Sequence, residues 1–257
     1  MPKERVIYYE DEMNDEFSSA RITPKPIDSS WVYVHSSIFK RFTRFFWYRV
    51  VATPLAFLYT KIWFHHKIEG REKLKPYRHT GFFLYGNHTQ ATGDALIPSM
   101  LTFPKGDFCI VHPNNVSMPL LGRITPSLGA LPLPDDLKAY RNFIRAVETR
   151  IREGNGVVIY PEAHIWPYYT GIRPFPDTSF SYPVRFQTPV FSFVNTYRRR
   201  RFGKRPRIVT CIDGPFFADP ALSSRGAIRK LRDEVYEAMK KQSEKNEVVW
   251  IQYIKRN

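Results

Sequence analysis

The stretch 81–94 constrains the fold most, because it changes from an apolar run to a polar turn within a few residues. Residues 82–85 (Phe-Phe-Leu-Tyr) predict a short buried strand that a glycine ends. Asn87 and His88 follow in the turn, and Asp94 precedes a second apolar stretch. Open α/β sheets place their sites at the carboxyl ends of strands. The pattern therefore predicts polar groups at such an end.

Histidine and aspartate in this arrangement fit general base catalysis. A neutral imidazole takes a proton from a weak nucleophile, and a carboxylate holds the ring in one tautomer. The same residues also fit a plain turn, with an exposed histidine and an aspartate that caps a helix. On these residues alone, the two interpretations are equally good.

The clearest helix lies farther along the chain, over residues 135–153. Asp135 or Asp136 can cap its start, and Gly154 marks its end. A strand over residues 156–160 follows, and this alternation of helix and strand is typical of α/β domains. The apolar residues at helical spacing, which we expect to face the core, are Leu137, Tyr140, Ile144, Val147 and Ile151.

The composition predicts one folded domain, and the spacing of its cysteines and histidines predicts no metal site. The 257 residues are 43% hydrophobic and 16% aromatic, enough for a full core. Cys109 and Cys211 lie in apolar, strand-like runs without metal-ligand spacing, which predicts reduced thiols and a cytosolic setting. The adjacent His65 and His66 have no partner ligands nearby, so we expect a solvated helix end and no metal site.

The net charge of +15 is unevenly distributed. Residues 1–30 carry four Lys/Arg and seven Asp/Glu, so the rest of the chain carries +18. Seven of the ten residues in 198–207 are basic, which is typical of a solvated loop but also fits contact with anionic lipid or with the phosphates of coenzyme A. Charge alone does not choose between a nucleic acid, an anionic membrane and a polyanionic co-substrate.

The first part of the chain has two different compositions. Residues 1–30 have no periodicity and predict a loosely held arm, whereas residues 31–66 are aromatic, basic and helical in pattern. Pro54 is expected to divide this segment into two helices. In its first helix, large apolar residues fall on one face, and Lys40, Arg41 and Arg44 fall on another.

The segment 31–66 contains no run of uncharged residues that is long enough to cross a bilayer. Its longest uncharged run, Val50–Thr60, has 11 residues, and a membrane span needs roughly 20. The pattern favours helices that lie in the membrane interface, with aromatic residues in the lipid boundary and basic residues at the headgroups. A pair of core helices is the alternative.

The pair Asn87-His88 followed by Asp94 resembles the first motif of the glycerolipid (lysophospholipid) acyltransferases. That family commonly has four residues between histidine and aspartate, and this chain has five, residues 89–93. A bulge at Gly93 is one way to accommodate the extra residue.

Further blocks of the family follow in order between about residue 67 and residue 195. Residues 118–133 resemble the second block, a glycine-punctuated loop that leads to a strand. Pro161-Glu162 resembles the third block, although Ile165 stands where most members have arginine. Residues 188–194 resemble the fourth block, a proline-led apolar strand.

The resemblance implies a glycerol-3-phosphate acyltransferase-like fold. It is a single α/β domain over residues 67–257, with a mixed, mostly parallel sheet flanked by helices. An N-terminal amphipathic helical membrane-binding segment precedes it. The catalytic residues would be His88 as general base and Asp94 as its orienting carboxylate. The substrate-binding residues would be Asn87, Glu162, Arg123, Arg173 and His164.

The resemblance also implies an activity and a location. The enzyme would transfer a fatty acyl group from acyl-CoA or acyl-ACP, its co-substrate, to a lysophospholipid hydroxyl. The acceptor would be 1-acylglycerol-3-phosphate and the product phosphatidic acid, without a cofactor. The enzyme would be a peripheral or monotopic protein on the cytoplasmic face of a membrane that contains anionic lipid. It would have no nucleic acid partner. The alternative is a non-catalytic lipid- or nucleic-acid-binding protein on the acyltransferase fold.

Overall fold

The computed structural model describes residues 5–17, 22–35 and 37–256. Residues 1–4 and 18–21 of the predicted arm, residue 36 of the predicted helical segment and residue 257 of the predicted domain lie outside the described residues. The strands are β1 (Arg5–Tyr9), β2 (Lys67–Glu69), β3 (Phe82–Gly86), β4 (Asp107–Val111), β5 (Ala130–Pro132), β6 (Gly156–Ile159), β7 (Val190–Arg198), β8 (Arg207–Phe216) and β9 (Ile251–Lys255).

Seven of these strands form the main sheet, in the order β2-β8-β7-β3-β6-β4-β5. Neighbours from β7 to β5 are parallel, whereas β8 runs antiparallel to β7 and pairs in parallel with β2. The sheet is therefore mixed and mostly parallel, as predicted. The carboxyl ends of β3, β6 and β4 lie along one edge.

Helices cover both faces of the sheet. The α-helices are α1 (Ile38–Phe45), α2 (Thr53–Trp63), α3 (Gly93–Thr102), α4 (Asn114–Ser117), α5 (Leu137–Arg152), α6 (Ser181–Phe186) and α7 (Ser224–Ser243). A π-helical stretch, Phe46–Ala52, joins α1 to α2, and short 3₁₀ turns cover Arg71–Tyr77, Leu121–Arg123, Thr125–Leu128 and Thr178–Phe180.

The central strand β3 is buried at every residue. Phe83 and Tyr85 join the core beneath α5 and α7, and Phe82 and Leu84 join the core beneath α3. Successive side chains of a strand point to opposite faces, so a strand covered on both sides is a continuous apolar run. The first polar residues after β3 therefore emerge between the two helical layers.

Helix α5 forms where it was expected, and the prediction of its core-facing residues is correct in part. The Asp136 carboxylate caps it by accepting hydrogen bonds from the N–H groups of Lys138 (2.7 Å) and Ala139 (2.8 Å). Leu137 and Tyr140 are 85% and 39% exposed, contrary to the prediction. Ile144 and Val147 are buried as predicted, and Ala139, Phe143 and Ala146, which the prediction left out, are buried beside them.

The prediction of a loosely held arm is wrong for its described residues. β1 pairs in parallel with β9, at the far end of the chain, to form a two-stranded sheet. The ring of Phe17 packs edge-on against Trp166, with centroids 5.3 Å apart, and Ile27 is completely buried. These contacts use isolated apolar residues, which have no periodicity for a sequence pattern to show.

The helical segment from α1 to α2 is continuous. Pro54 lies in the first turn of α2, directly after the π-helical stretch, and the backbone stays helical through it, so it does not divide the segment as predicted. Among the described residues, we find no helix with the length and hydropathy to traverse a bilayer.

The face of this segment that packs on the domain carries one alanine and three side chains with a hydroxyl group. It carries Tyr48, Thr53, Ala56 and Thr60, and the Tyr48 hydroxyl donates to the buried Asp107 carboxylate. Large apolar side chains point outward instead: Ile38, Phe39, Phe42, Phe45, Phe46, Val50, Leu55, Phe57, Leu58, Tyr59, Ile62 and Trp63. We call this set the outward apolar face.

One charged residue of the segment departs from the prediction. The Arg44 guanidinium lies 3.8 Å from the centroid of the Phe108 ring and so faces the domain, although it was expected on one face with Lys40 and Arg41. Lys40 and Arg41 are exposed.

Candidate active site

The turn after β3 brings His88 and Asp94 into direct contact. His88 Nδ1 lies 2.8 Å from Asp94 Oδ2. The Asp94 N–H donates to the carbonyl of Gln90 (2.8 Å), and the Gln90 N–H donates back to Asp94 Oδ2 (2.8 Å). The turn itself thus absorbs the extra residue, and Gly93 is the first residue of α3 rather than a bulge.

The absence of a side chain at Gly93 matters for packing. A Cβ atom there would lie 2.8 Å from Gln90 Cβ and 3.3 Å from a ring carbon of Phe64. Only glycine therefore allows the start of α3 to close on the turn and on the end of the helical segment.

The His88 ring is oriented for base chemistry. It stacks on Tyr160, with centroids 4.6 Å apart, and the Tyr160 hydroxyl donates to the Asp94 carbonyl (2.6 Å). Because the Asp94 carboxylate accepts a hydrogen bond from Nδ1–H, the lone pair of the neutral ring lies on Nε2. His88 Nε2 makes no hydrogen bond to any residue in the described ranges, and 18% of the side chain is exposed.

The Asp94 carboxylate is buried, and three donors surround it. Burial raises its pKa, and the hydrogen bonds from His88 and from the Gln90 N–H act in the opposite direction. Its second oxygen accepts from Asn195 Nδ2 at 3.1 Å. Asn195 was not predicted as a site residue, and the available signal was an amide within the mainly apolar, buried strand β7.

Asn87 was expected to bind substrate, and the structure gives it another task. Its side chain is buried, and its Oδ1 accepts from the Asn195 N–H (2.8 Å) while its Nδ2 donates to the Asn195 carbonyl (3.2 Å). Asn87 therefore ties the end of β3 to the backbone of β7, which leaves its amide enclosed.

Glu162, at the end of β6, contacts the same turn. Its Oε2 accepts from the backbone N–H of His88 (3.0 Å), and its Oε1 accepts from the Arg173 N–H (3.1 Å). The loop after β6 also donates from Trp166 N–H to the His88 carbonyl (3.1 Å). His88, Asp94 and Glu162 thus converge from two strand ends, but Glu162 holds backbone rather than an acceptor.

Arg173 is not available to an anionic headgroup in this arrangement. Its side chain and that of Glu162 are fully buried, with Nη2 3.6 Å from Oε2. The guanidinium donates to the carbonyls of Glu12 and Glu162, both at 3.3 Å, and to that of His164. Burial raises the pKa of Glu162, and the Arg173 charge opposes that shift.

The other two predicted substrate-binding residues lie nearer the surface. His164 Nδ1 lies 3.2 Å from Glu16 Oε2, and its side chain is 35% exposed. Arg123 is exposed on the loop after β4, and its guanidinium makes no hydrogen bond or ion pair within the described parts of the chain. Neither side chain bonds to His88 or Asp94.

The expectation of a solvated helix end at the paired histidines is wrong for one of them. His65 is exposed, but His66 is buried, and its Nε2 lies 2.8 Å from Thr210 Oγ1. Burial, with the nearby charge of Lys61, lowers the pKa of His66 to about 4. Across residues 5–17, 22–35 and 37–256, no three His, Cys, Asp or Glu side chains form a group that could hold a metal ion.

Comparison with known proteins gives a fold. No protein-family model matches the sequence, and no curated protein matches it. The chain is similar in structure to the 1-acyl-sn-glycerophosphate (LPA) acyltransferase PlsC from Thermotoga maritima, with a TM-score of 0.55 and 16% identity. The match covers 79% of this chain and 87% of that one. At this identity, the likeness shows a shared α/β fold.

Proposed function

We propose that the protein is an acyltransferase that moves a fatty acyl group from acyl-CoA or acyl-ACP to the hydroxyl of a lysophospholipid at a membrane surface. One observation carries the proposal: the 2.8 Å contact between His88 and Asp94 at the carboxyl end of the central strand. It occurs in a fold that resembles that of an LPA acyltransferase.

The chemistry needs one base and no covalent enzyme intermediate. His88 Nε2 takes the proton from the acceptor hydroxyl, whose oxygen attacks the thioester carbonyl carbon. The new carbon–oxygen bond forms as the carbon–sulfur bond breaks, and the proton passes from His88 to the departing thiolate. Asp94 stabilises the imidazolium that forms in between.

The proposed acceptor is 1-acylglycerol-3-phosphate, and the product is phosphatidic acid. A phosphate bound away from water needs a cation, and Arg173 is already enclosed. Arg123 is exposed on the loop that leaves the carboxyl end of β4. Because only β6 separates β4 from β3, the carboxyl ends of β3 and β4 are roughly 10 Å apart. Arg123 lies farther along this loop, beyond α4, and the proposal requires the loop to bring its side chain to the acceptor.

Two features support a membrane surface with anionic lipid. The outward apolar face exposes large side chains that a soluble domain normally buries. The basic tip between β7 and β8, residues 199–205, continues this face: Arg200 Nη2 donates to the Trp63 carbonyl (2.5 Å), and the Arg205 guanidinium lies 4.7 Å from the centroid of the Trp63 ring. The two unpaired cysteines favour the cytoplasmic side.

The test of activity offers acyl-CoA and acyl-ACP with lysophosphatidic acid, lysophosphatidylcholine or monoacylglycerol. We expect transfer to lysophosphatidic acid that His88→Ala abolishes. Arg123→Ala should raise KM for that acceptor about tenfold, since hydrogen bonds to charged groups contribute about 1.5–3 kcal/mol, and should leave a neutral acceptor unaffected. Arg145→Ala, an exposed arginine on α5, is the control.

The outcomes separate the parts of the proposal. Equal use of a neutral acceptor, without an effect of Arg123→Ala, would mean another acceptor for the same enzyme. Absence of transfer to every acceptor would leave the non-catalytic binding protein.

The test of membrane binding uses vesicles with and without anionic lipid. Replacing Phe39 and Phe42, which are 76% and 64% exposed, by serine should release the protein from both. Reversing the charges of Arg199, Arg201 and Lys204 should remove only the preference for anionic vesicles, since each basic residue near such a surface contributes about 1 kcal/mol. The same reversal at the α7 residues Arg225, Arg229 and Lys241 is the control. Unchanged binding in the first two variants would exclude these surfaces.

A further inference from the structure

A chain of buried side chains leads away from the far side of Asp94. Asp94 Oδ1 accepts from Asn195 Nδ2 (3.1 Å), Asn195 Oδ1 accepts from the Thr210 hydroxyl (2.6 Å), and Thr210 Oγ1 lies 2.8 Å from His66 Nε2. Asn195 and Thr210 are completely buried, and His66 is 2% exposed. The acyl transfer chemistry does not itself require the last three groups.

The hydrogen bonds between these four side chains have one consistent direction. An ionised carboxylate only accepts, so the amino group of Asn195 points to Asp94 and its oxygen points to Thr210. The single hydroxyl proton of Thr210 is then donated to Asn195. Thr210 therefore accepts from His66, which is neutral and carries its proton on Nε2. Rotating the Asn195 amide would place an oxygen against the carboxylate.

Backbone contacts fix the positions of Asn195 and Thr210, in the middle of this series of hydrogen bonds. Asn195 and Thr210 are directly opposite each other on the antiparallel strands β7 and β8. The Asn87 side chain makes two hydrogen bonds to the backbone of Asn195, at 2.8 and 3.2 Å. The donor to Asp94 is thus held before any substrate arrives, as preorganised sites require.

We propose that Asn195, supported by Thr210 and His66, is a positioning residue for Asp94. It turns the carboxylate so that Oδ2 faces His88 Nδ1, and it stabilises the ionised form of Asp94. The kinetic part of this inference rests on the proposed acyl transfer. These hydrogen bonds begin at His66, just after α2, so they also connect the end of the helical segment to the site.

The kinetic test compares isosteric changes at two buried threonines. Thr210→Val removes the hydroxyl that connects Asn195 to His66, whereas Thr210→Ser keeps it. Thr196→Val is the control, because Thr196 is also completely buried but donates to the Val209 carbonyl (2.7 Å), outside the chain.

Thr210→Val should lower kcat by about tenfold or more, since misplacing a group by about 1 Å can cost about 100-fold. KM for the acyl donor should stay unchanged. The acid limb of the pH profile should move to higher pH, because Asp94 then takes a proton more readily. Thr210→Ser should restore both quantities.

A second measurement does not depend on activity. Nitrogen-15 NMR of the His88 imidazole in the full chain should show the Nδ1–H tautomer in the wild type. A mixture of tautomers should appear in Thr210→Val and in Asn195→Ala, which removes the donor directly. Circular dichroism checks that each variant is folded.

The outcomes separate this inference from the proposed function. If the wild type transfers no acyl group but the tautomer shifts in the variants, the positioning role stands and the proposed function fails. Wild-type kcat, pH profile and His88 spectrum in both Thr210→Val and Asn195→Ala would overturn the positioning role. An equal loss of kcat in Thr196→Val would overturn it too, because the effect would then be general to the sheet.

Discussion

The turns after β3 and β6 each bury one carboxylate, but the two carboxylates bind different kinds of donor. Asp94 accepts from the His88 ring and from the side-chain amide of Asn195, in addition to one backbone N–H. Glu162 accepts from two backbone N–H groups and lies beside the guanidinium of Arg173.

This difference separates a chemical role from a structural one. The partner of Asp94 is partly exposed and can gain or lose a proton, whereas the partner of Glu162 is completely buried and stays charged. A carboxylate that faces a titratable, accessible ring can stabilise a charge that appears during a reaction. A carboxylate that joins two loops and a fixed charge can only hold them together.

The largest effect that would test this comparison is on turnover in Asp94→Asn. We expect kcat for acyl transfer to fall by about 10³-fold, less than in His88→Ala, because the neutral amide no longer fixes the tautomer of His88. The free energy of unfolding should change by only about 1 kcal/mol, since removing a buried charge offsets the hydrogen bonds that are lost. Steady-state kinetics and denaturant titration measure the two quantities.

A large loss of stability in Asp94→Asn with normal turnover would reverse the roles of the two turns. Asp233→Asn is the control, because Asp233 is 53% exposed and pairs with its neighbour Arg232 on α7. That variant should change neither quantity.

The second effect is on stability, in Glu162→Gln. The substitution leaves the Arg173 charge buried without its counter-ion, which should lower the free energy of unfolding by about 3–5 kcal/mol. Glu237→Gln is the matched control, because Glu237 pairs with Lys240 on α7 and the two side chains are 66% and 50% exposed, and an exposed pair contributes at most about 1 kcal/mol. If Glu162→Gln kept its stability and lost only turnover, Glu162 would have to contact substrate.

The sequence predicted the first of these turns better than the second. His88 and Asp94 lie within one strand, turn and helix, so the local sequence brought them near each other, and the resemblance to an acyltransferase motif supplied their roles. The enclosure of Arg173 depends on the Glu12 carbonyl and on the loop after β6, which are far apart in the sequence. A basic residue beside a motif looks the same in sequence whether tertiary contacts leave it open or cover it.

The same reason explains the other differences. Asn195 and Thr210 meet through the register of β7 and β8, and β1 pairs with a strand near the other end of the chain. Neither pairing has a local signal. Helix α5 could be predicted because its periodicity and its cap are contiguous in sequence, whereas the mixed, mostly parallel sheet was an expectation from the resemblance.

The smallest effect is on the pH dependence of stability. It distinguishes His66, which is connected to Asp94 through Thr210 and Asn195, from Arg173, which lies beside Glu162. The buried imidazole of His66 has its pKa lowered to about 4, whereas an unfolded histidine titrates near 6.5. Between these pH values the unfolded chain binds a proton that the folded chain does not bind. The free energy of unfolding therefore falls as the pH drops through this window, by up to about 3 kcal/mol.

His66→Gln should remove this part of the pH dependence, because glutamine keeps a donor for Thr210 but does not titrate. His65→Asn is the control, because His65 is exposed and its backbone has the positive φ of 47° that asparagine tolerates. Denaturant titrations between pH 7 and 4 should give parallel curves for the wild type and His65→Asn, and a flatter curve for His66→Gln. Arg173 stays charged over this range and contributes no slope. Equal slopes for the wild type and His66→Gln would mean that folding does not lower the pKa of His66, which contradicts the burial of its ring beside Thr210.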